Sequence, residues 1–218
     1  MKILDIPQSG SVAGTTSSRN RFGQYRRTRA VPVNPNSTAQ GVVRARMSAN
    51  AAAWRALTNL QREGWDGLGL SMTRTDSLGQ SYTLTGFQAY CSVNNVKSLC
   101  GDATVSDAPE LVTPSTILTA TVTLTSAALS IAYTPTPMPA STRLAVFASP
   151  QRSAGRNFEA DLRFIQVTAA AAASPVNAFS AYSAKFGTPV TGNKVFFSLV
   201  SITGGFESGP FLTSQPVA

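Results

Sequence analysis

The spacing of apolar residues changes once along the chain, and the change separates a helical part from a β part. Between residues 37 and 100, apolar side chains recur every three or four residues, which is typical of amphipathic helices. Three such stretches follow one another and predict three helices. Their predicted inward-facing residues are Val43, Met47, Trp54 and Leu57, then Leu60, Trp65, Leu68 and Met72, then Phe87, Tyr90, Cys91 and Val96.

Each of the three helices begins at a recognisable cap. Ser37, Thr58 and Thr85 are each followed three residues later by a glutamine. In such a capping box the hydroxyl and the amide satisfy backbone groups that the first helical turn leaves unpaired. We therefore predict helix starts at these three residues, with the first helix running to about Leu57 and the third ending before Gly101.

After residue 116 the pattern is that of short strands between Pro-, Ser- and Gly-rich turns. The predicted strands are Ile117–Leu124, Leu129–Tyr133, Arg143–Ala148, Leu162–Val167 and Lys194–Ile202. Five or more strands in roughly 100 residues predict an immunoglobulin-like or fibronectin-like β-sandwich. The last segment, Phe206–Ala218, is predicted to be an edge strand or an extended tail.

One helix is predicted within this β part. Ser174 is a suitable N-cap, Pro175 suits the first helical position, and Gly187 suits the end of a helix. The apolar residues on one face of this helix are Phe179, Tyr182 and Phe186.

Three stretches have no helical pattern. Asp76–Gly79 is predicted to be a turn, Ser81–Leu84 a short strand, and residues 101–116 a linker. Residues 1–36 are predicted to form an extended arm with one strand around Tyr25–Val33, because its prolines exclude a continuous helix.

All of the net charge lies in the first third of the chain. Residues 1–74 carry eleven Lys and Arg and three Asp and Glu, a net charge of +8, whereas the remainder carries seven of each. Seven arginines follow one another without an intervening acid, and two aromatic residues lie among them. The predicted contact residues are Arg19, Arg21, Phe22, Tyr25, Arg26, Arg27, Arg29, Arg44 and Arg46.

Three interpretations of this basic arm stay open. It can lie on a neighbouring subunit, with arginines paired to carboxylates and aromatic side chains in pockets. It can bind nucleic acid, since arginines neutralise phosphates and aromatic rings stack on bases. It can also pack against the helices of its own chain. We favour assembly, with nucleic-acid binding as the alternative.

The sequence offers little catalytic chemistry. Histidine is absent, so the commonest general base and metal ligand is missing. Glu159 and Asp161 are close enough to form a carboxylate pair on a strand, but such pairs are usually only solvated. The two cysteines, Cys91 and Cys100, are expected to be buried thiols, with a local disulfide as the alternative. We predict no catalytic residue, cofactor or metal site, and no enzyme.

The N-terminus has no apolar stretch of the kind that a signal peptide contains, and no run approaches a transmembrane length. We therefore expect no membrane partner.

Several motifs resemble those of a group of uncharacterised bacterial and phage-associated proteins. They comprise Ser9–Gly14, Arg19–Tyr25, Pro32–Pro35, Gln40-x-x-Val-Arg44, Trp54-x-x-Leu57 and Arg62-x-x-Trp65. The resemblance implies a viral or prophage structural context and a fibronectin-like C-terminal half. Residues 54–65 are also similar to the middle of an HMG box, which is in keeping with the nucleic-acid alternative.

The sequence thus predicts an α+β protein with four parts: a basic arm at 1–36, a helical module at 37–100, a linker at 101–116 and a sandwich at 117–218. We expect a phage structural protein, as a capsid, capsid-decoration or tail component assembled in the host cytoplasm and located in the virion. Its expected partners are copies of itself and other virion proteins. The alternative is an architectural DNA-binding protein that uses the arm and the helices.

Overall fold

The computed structural model describes residues 8–76 and 78–218. Within them the chain is a mixed α+β protein with four helices and fourteen strands in antiparallel sheets. The helices are α1 (Thr38–Ala56), α2 (Asn59–Ser71), α3 (Gly86–Leu99) and α4 (Phe179–Phe186). The strands are β1 (Gly10–Val12), β2 (Thr15–Asn20), β3 (Gly23–Thr28), β4 (Thr73–Thr75), β5 (Ser81–Thr83), β6 (Thr119–Leu124), β7 (Leu129–Thr134), β8 (Thr142–Ala148), β9 (Arg152–Ser153), β10 (Arg163–Val167), β11 (Val176–Asn177), β12 (Asn193–Thr203), β13 (Phe206–Glu207) and β14 (Phe211–Pro216).

The three predicted capping boxes are confirmed. At α2 the N–H of Gln61 donates to Thr58 Oγ1 over 3.3 Å, and the N–H of Thr58 donates back to Gln61 Oε1 over 3.0 Å. The same reciprocal pairs form between Thr85 and Gln88 and between Ser37 and Gln40. Each helix therefore begins where local hydrogen bonding satisfies its first N–H groups.

Trp65 is the centre of a small helical core formed by α2 and α3. Its side chain is fully buried, its ring meets Tyr90 edge-on with centroids 5.1 Å apart, and its Nε1–H donates to the carbonyl of Ser106 over 2.7 Å. Trp54 is half-buried against the rings of Phe87 and Tyr90. The prediction that both tryptophans belong to a core is confirmed fully for Trp65 and in part for Trp54.

Three predicted inward-facing residues are exposed instead: Val43, Met47 and Leu60. Helix α1 has one buried residue, Asn50, whose amide donates to Asn95 Oδ1 of α3 over 3.0 Å. The first half of the apolar stripe on α1 is therefore not covered, because only its second half contacts α3. Leu60 lies in the first turn of α2, away from the helical core.

The β part contains two sheets that share one apolar core. The larger sheet has the order β10–β8–β12–β14, with the short strands β9 and β13 also paired to β12; the second has the order β11–β7–β6. Buried and more exposed side chains alternate along β6 and β7, as expected when one face of a sheet is covered, whereas β12 is buried on both faces from Val195 to Ile202. The side chains of the shared core come from both sheets. They include Val122, Leu124, Leu129, Ile131, Leu144, Val146, Val195, Phe197 and Leu199.

The predicted strands after residue 116 are confirmed to within two residues at each end, and β14 is the predicted edge strand. The predicted helix start at Ser174 is wrong. Val176 pairs with Ile131 of β7, and Ser174 Oγ accepts the N–H of Tyr133 over 3.0 Å, so this stretch completes the smaller sheet. Helix α4 begins at Phe179 and ends, as predicted, at Gly187, which has φ of +83°.

The predicted strand Ser81–Leu84 is confirmed as β5, which pairs with the unpredicted β4. The predicted turn between them includes Ser77, which lies outside the described residues. At the turn the carboxylate of Asp76 accepts the N–H groups of Leu78 and Gln80, each over 2.8 Å.

Residues 101–116 contain no helix or strand in the structure, but they do not separate two bodies. Asn94 of α3 exchanges two hydrogen bonds with the backbone of Val105, and Ser201 of β12 donates to the carbonyl of Ser115. Arg143 of β8 donates to the carbonyl of Cys100 and pairs with Asp102, each over 2.7 Å. The segment is therefore bonded to both the helices and the larger sheet.

The helices also touch the outer face of the larger sheet directly. Cys100 lies in an apolar cluster with Ala145 of β8 and with Val200 and Ile202 of β12. Gly205 has φ of +98°, and a Cβ there would lie 2.7 Å from Cγ1 of Val93. Only glycine fits this approach of α3.

The compact units of the chain differ from the predicted domains. One unit ends at Val43, seven residues beyond the predicted end of the arm, and the other comprises Arg44–Ala218. No boundary falls in the predicted linker, because the contacts just described join the helices to the strands. Residues 1–7 of the predicted arm lie outside the described residues.

Candidate functional site

The predicted basic arm contains a three-stranded antiparallel sheet, β1–β2–β3, which we call the arginine sheet (Gly10–Thr28). A single strand around Tyr25–Val33 was predicted; instead β3 ends at Thr28 and residues 29–37 have no regular structure. Small polar residues form most of β1 and β2, and two-residue turns join the strands. The N–H of Arg29 donates to the carbonyl of Gly14 over 2.8 Å and extends the ladder by one bond.

The arginines lie on both faces of the arginine sheet. Ser17 is paired with Arg26, and Arg19 with Gln24, so Arg19 and Arg26 share one face. Ser18 is paired with Tyr25 and Thr16 with Arg27, which places Tyr25 and Arg27 on the other face. Guanidinium groups are therefore presented in two opposite directions, and no single basic face exists on β2 and β3.

Arg21 and Phe22 form the turn between β2 and β3. The N–H of Phe22 donates to Asn20 Oδ1 over 2.9 Å, which fixes the turn. The Phe22 ring is 79% exposed, and the guanidinium carbon of Arg21 lies 5.9 Å from its centroid. The tip thus presents an apolar ring and a cation side by side.

The arginine sheet has no core of its own. Among residues 8–43 no side chain is buried, and Val12, Val31 and Val33 are exposed apolar residues. The sequence from 8 to 43 contains five arginines and no Asp or Glu. The guanidinium of Arg26 donates a hydrogen bond to Gln8 Oε1 over 2.6 Å.

The two remaining predicted contact residues, Arg44 and Arg46, lie on α1 in the other compact unit. The continuous run of arginines in the sequence is thus divided between a sheet and a helix.

The predicted carboxylate pair is held by arginines. Arg152 Nε donates to Glu159, and Arg163 forms two hydrogen bonds with Asp161, over 2.9 and 2.7 Å. The backbone N–H of Asp161 and the guanidinium of Arg152 hold the pKa of Glu159 below its usual range, and Arg163 lowers the pKa of Asp161. Both groups stay ionised at neutral pH, so neither is suited to donate a proton as a general acid.

Cys91 and Cys100 are buried free thiols, the first on α3 and the second at its end. Burial raises the pKa of both thiols, which leaves them protonated and unreactive at neutral pH. In the part of the chain that the structure describes, no three His, Cys, Asp or Glu side chains are grouped as metal ligands. The described helices also include none that is long and apolar enough to cross a bilayer.

Sequence reasoning missed an apolar groove on the outer face of the larger sheet. Its lining includes Phe158, Leu162, Phe196 and Leu212, which come from a loop and two strands. Alternation along β12 shows that Phe196 lies on the face opposite Phe197, but the sequence alone does not show that this end of the face is uncovered.

A scan against protein-family models finds no match for this chain, and a search of curated proteins finds no relative.

Proposed function

We propose that this chain is a structural protein of a virion, as a capsid, decoration or tail component, and that the arginine sheet anchors it to neighbouring subunits. The observation that carries the proposal is that residues 8–43 bury no side chain, although they form three paired strands. Small sheets need a packed apolar face to be stable in water. A partner surface is the source of such packing for the arginine sheet.

The exposed side chains favour a protein partner. Phe22 at the tip and Val31 and Val33 beyond β3 are apolar, and they are interspersed with arginines. Protein interfaces combine aromatic anchors with arginines that pair with carboxylates. Copies of the same chain and other virion proteins are the partners that fit the resemblance found in residues 9–65.

The larger compact unit supports a role as a rigid body. We propose that its two sheets form an immunoglobulin-like or fibronectin-like sandwich, because side chains from both sheets meet in one core. We also propose that the chain is not an enzyme. Its closest carboxylate pair is neutralised by arginines, and its cysteines are buried.

A second candidate, nucleic-acid binding, is favoured by the arrangement of the arginines on both faces of the sheet. Strands of a β-sheet can lie against the grooves of DNA, and arginines on both faces of the sheet supply cations for phosphates whichever face is turned to the duplex. Phe22 is exposed at the tip and has a face on which a base can stack.

The two candidates differ in their response to salt and to truncation. We expect the full chain to form an oligomer whose mass, measured by light scattering, does not change between low and high salt. Removing residues 1–33 should leave a folded protein that no longer assembles. A truncated chain that assembles normally contradicts the proposal.

Substitution of arginines separates the candidates further. With Arg19, Arg21, Arg26, Arg27 and Arg29 replaced by lysine, phosphate binding should persist because charge is kept, whereas bidentate carboxylate pairing should weaken. A matched variant with glutamine at the same positions should lose both. If the full chain is monomeric and binds unrelated DNA with a logarithmic salt slope of about −4.5, as expected for five phosphate contacts, the nucleic-acid candidate replaces the first.

A further inference from the structure

The groove on the outer face of the larger sheet is apolar, open and distant from the arginine-sheet residues in sequence. It has a volume of about 240 Å³. Among its lining residues Phe158 is 69% exposed and Leu212 is 60% exposed, whereas Phe196 is buried. Exposed apolar side chains that line one groove form a continuous patch, and such patches mark interaction sites.

Basic residues surround this groove. The ammonium group of Lys194 lies 5.3 Å from the centroid of the Phe196 ring and donates to the carbonyl of Arg156 over 3.2 Å. Arg152 and Arg156 both contact Glu159, which lines the groove.

Three cations, Lys194, Arg152 and Arg156, and one carboxylate, that of Glu159, form this rim. The local net charge is therefore +2, which disfavours an occupant as basic as the arginine sheet. The occupant must combine apolar side chains with negative charge.

One segment of this same chain has that combination. From residue 98 to residue 142 the sequence has no Lys or Arg, and its acids are Asp102, Asp107 and Glu110. Asp102 is paired with Arg143, whereas Asp107 and Glu110 are exposed and precede the exposed residues Leu111 and Val112. We call Asp107–Val112 the acidic segment.

The start of the acidic segment is hydrogen-bonded to α2. Gln61 of α2 donates to Asp107 Oδ1 over 3.0 Å, and Trp65 donates to the carbonyl of the adjacent Ser106. The helices contact β12 around Val200 and Ile202, while the groove lies at Phe196. Six residues of strand separate Phe196 from Ile202, about 20 Å. Leu111 and Val112 lie beside Phe206, beyond the Ile202 end of β12, so the acidic segment of a copy does not line its own groove.

We propose that the groove binds the acidic segment of a second copy of this chain. Leu111 and Val112 enter between Phe158 and Leu212, and Glu110 meets the rim near Lys194. Because the two surfaces differ, the contact is heterologous, and its repetition produces a ring or an open filament. The inference does not depend on the arginine sheet, so it adds a second type of contact to the proposed assembly.

Charge exchange in the full chain tests this pairing. Lys194→Glu and Glu110→Lys should each raise the concentration needed for assembly by about tenfold, because each places like charges across the contact. The double variant should return to within about threefold of the parent, since it restores an opposite-charge pair with reversed polarity. Sedimentation velocity over a concentration series gives these values.

Matched controls identify the surface. Phe158→Ala and Leu111→Ser change exposed residues and should weaken assembly without changing the unfolding transition. Glu63→Lys makes the same charge change on an exposed position of α2 outside the groove and should leave assembly unchanged.

A double variant no better than the single variants, or a parent chain that is monomeric at every concentration, overturns the pairing. Occupation of the groove by an unrelated acidic peptide in a chain that stays monomeric also overturns it.

The result of the charge exchange can be separated from the result of the arm truncation. If removal of residues 1–33 abolishes assembly but charge exchange has no effect, the arginine sheet stands and this pairing fails. If charge exchange weakens assembly but removal of residues 1–33 does not, this pairing stands and the arginine sheet is rejected as the anchor.

Discussion

The chain contains two kinds of β-sheet, and they differ in what holds them together. The larger sheet buries Val195, Phe197 and Leu199 on one face and docks helices on part of the other. The arginine sheet has backbone pairing of similar regularity but buries nothing among its described residues. Hydrogen bonds contribute modestly to net stability, whereas apolar burial dominates it. Burial among the described residues therefore does not account for the stability of the arginine sheet, and this is the reason for proposing a partner surface.

The strongest test of this comparison places the same substitution in both regions. Phe197→Ala removes a fully buried ring and should lower the free energy of unfolding by about 3–5 kcal/mol. Phe22→Ala removes an exposed ring and should change it by less than about 0.5 kcal/mol while weakening assembly. Urea unfolding followed by circular dichroism measures both; equal losses would mean that Phe22 has a buried environment.

A glycine pair tests the contact between α3 and the larger sheet. Gly205→Ala introduces a Cβ against Val93 at a positive φ and should cost about 1–3 kcal/mol. Gly209→Ala is the control, because nothing lies within 4 Å of its Cβ and its φ is ordinary. Similar unfolding midpoints for the two variants would show that α3 is not seated closely on the sheet.

Substitutions at the helix caps should give a smaller difference in the free energy of unfolding. Thr85→Ala removes the cap of α3, which packs in the helical core, and should cost about 1 kcal/mol. Ser37→Ala removes the equivalent cap of α1, whose first half is exposed, and should have little effect on global unfolding. Loss of stability at Ser37 comparable to that at Thr85 would indicate that the start of α1 is packed.

Acid titration gives the smallest expected effect. The pKa of Glu159 is lowered on folding by the Asp161 N–H and Arg152, so its stabilising contribution is present above the ordinary pKa of a glutamate and is lost as pH falls through the lower folded value. Glu159→Gln should therefore flatten the loss of stability below about pH 4. Arg27→Gln, in the arginine sheet, should leave that profile unchanged. Thermal unfolding between pH 2 and pH 7 measures both profiles.

Local patterns predicted most of the fold from residue 37 onward. Capping boxes located the starts of α1, α2 and α3, and alternation located β6, β7, β8, β10 and β12, because both signals are determined by residues close in sequence. The start of α4 was missed because the pairing of Val176 with Ile131 is a long-range contact that outweighs the local Ser-Pro signal. The exposed stripe at Val43 and Met47 was missed because periodicity identifies a face but not what covers it.

The candidate sites were predictable to different degrees. The acid-free run of arginines was visible in the sequence, but its division between both faces of a sheet and helix α1 depends on strand register. The apolar groove depends on Phe158 and Leu212, which are separated by more than fifty residues. Neither has a neighbouring residue that indicates its role, so only the fold brings them to one place.

The absence of a buried side chain in Gly10–Thr28 has a consequence for how this part of the chain evolves. Substitutions in a core are filtered by volume and shape, whatever the protein binds. In the arginine sheet that filter does not operate, and under the proposed function selection acts through the contact with the partner. Related chains are therefore expected to diverge here in step with their partners, changing charge and tip residues together, while the strands of the larger sheet drift only among apolar residues of similar size.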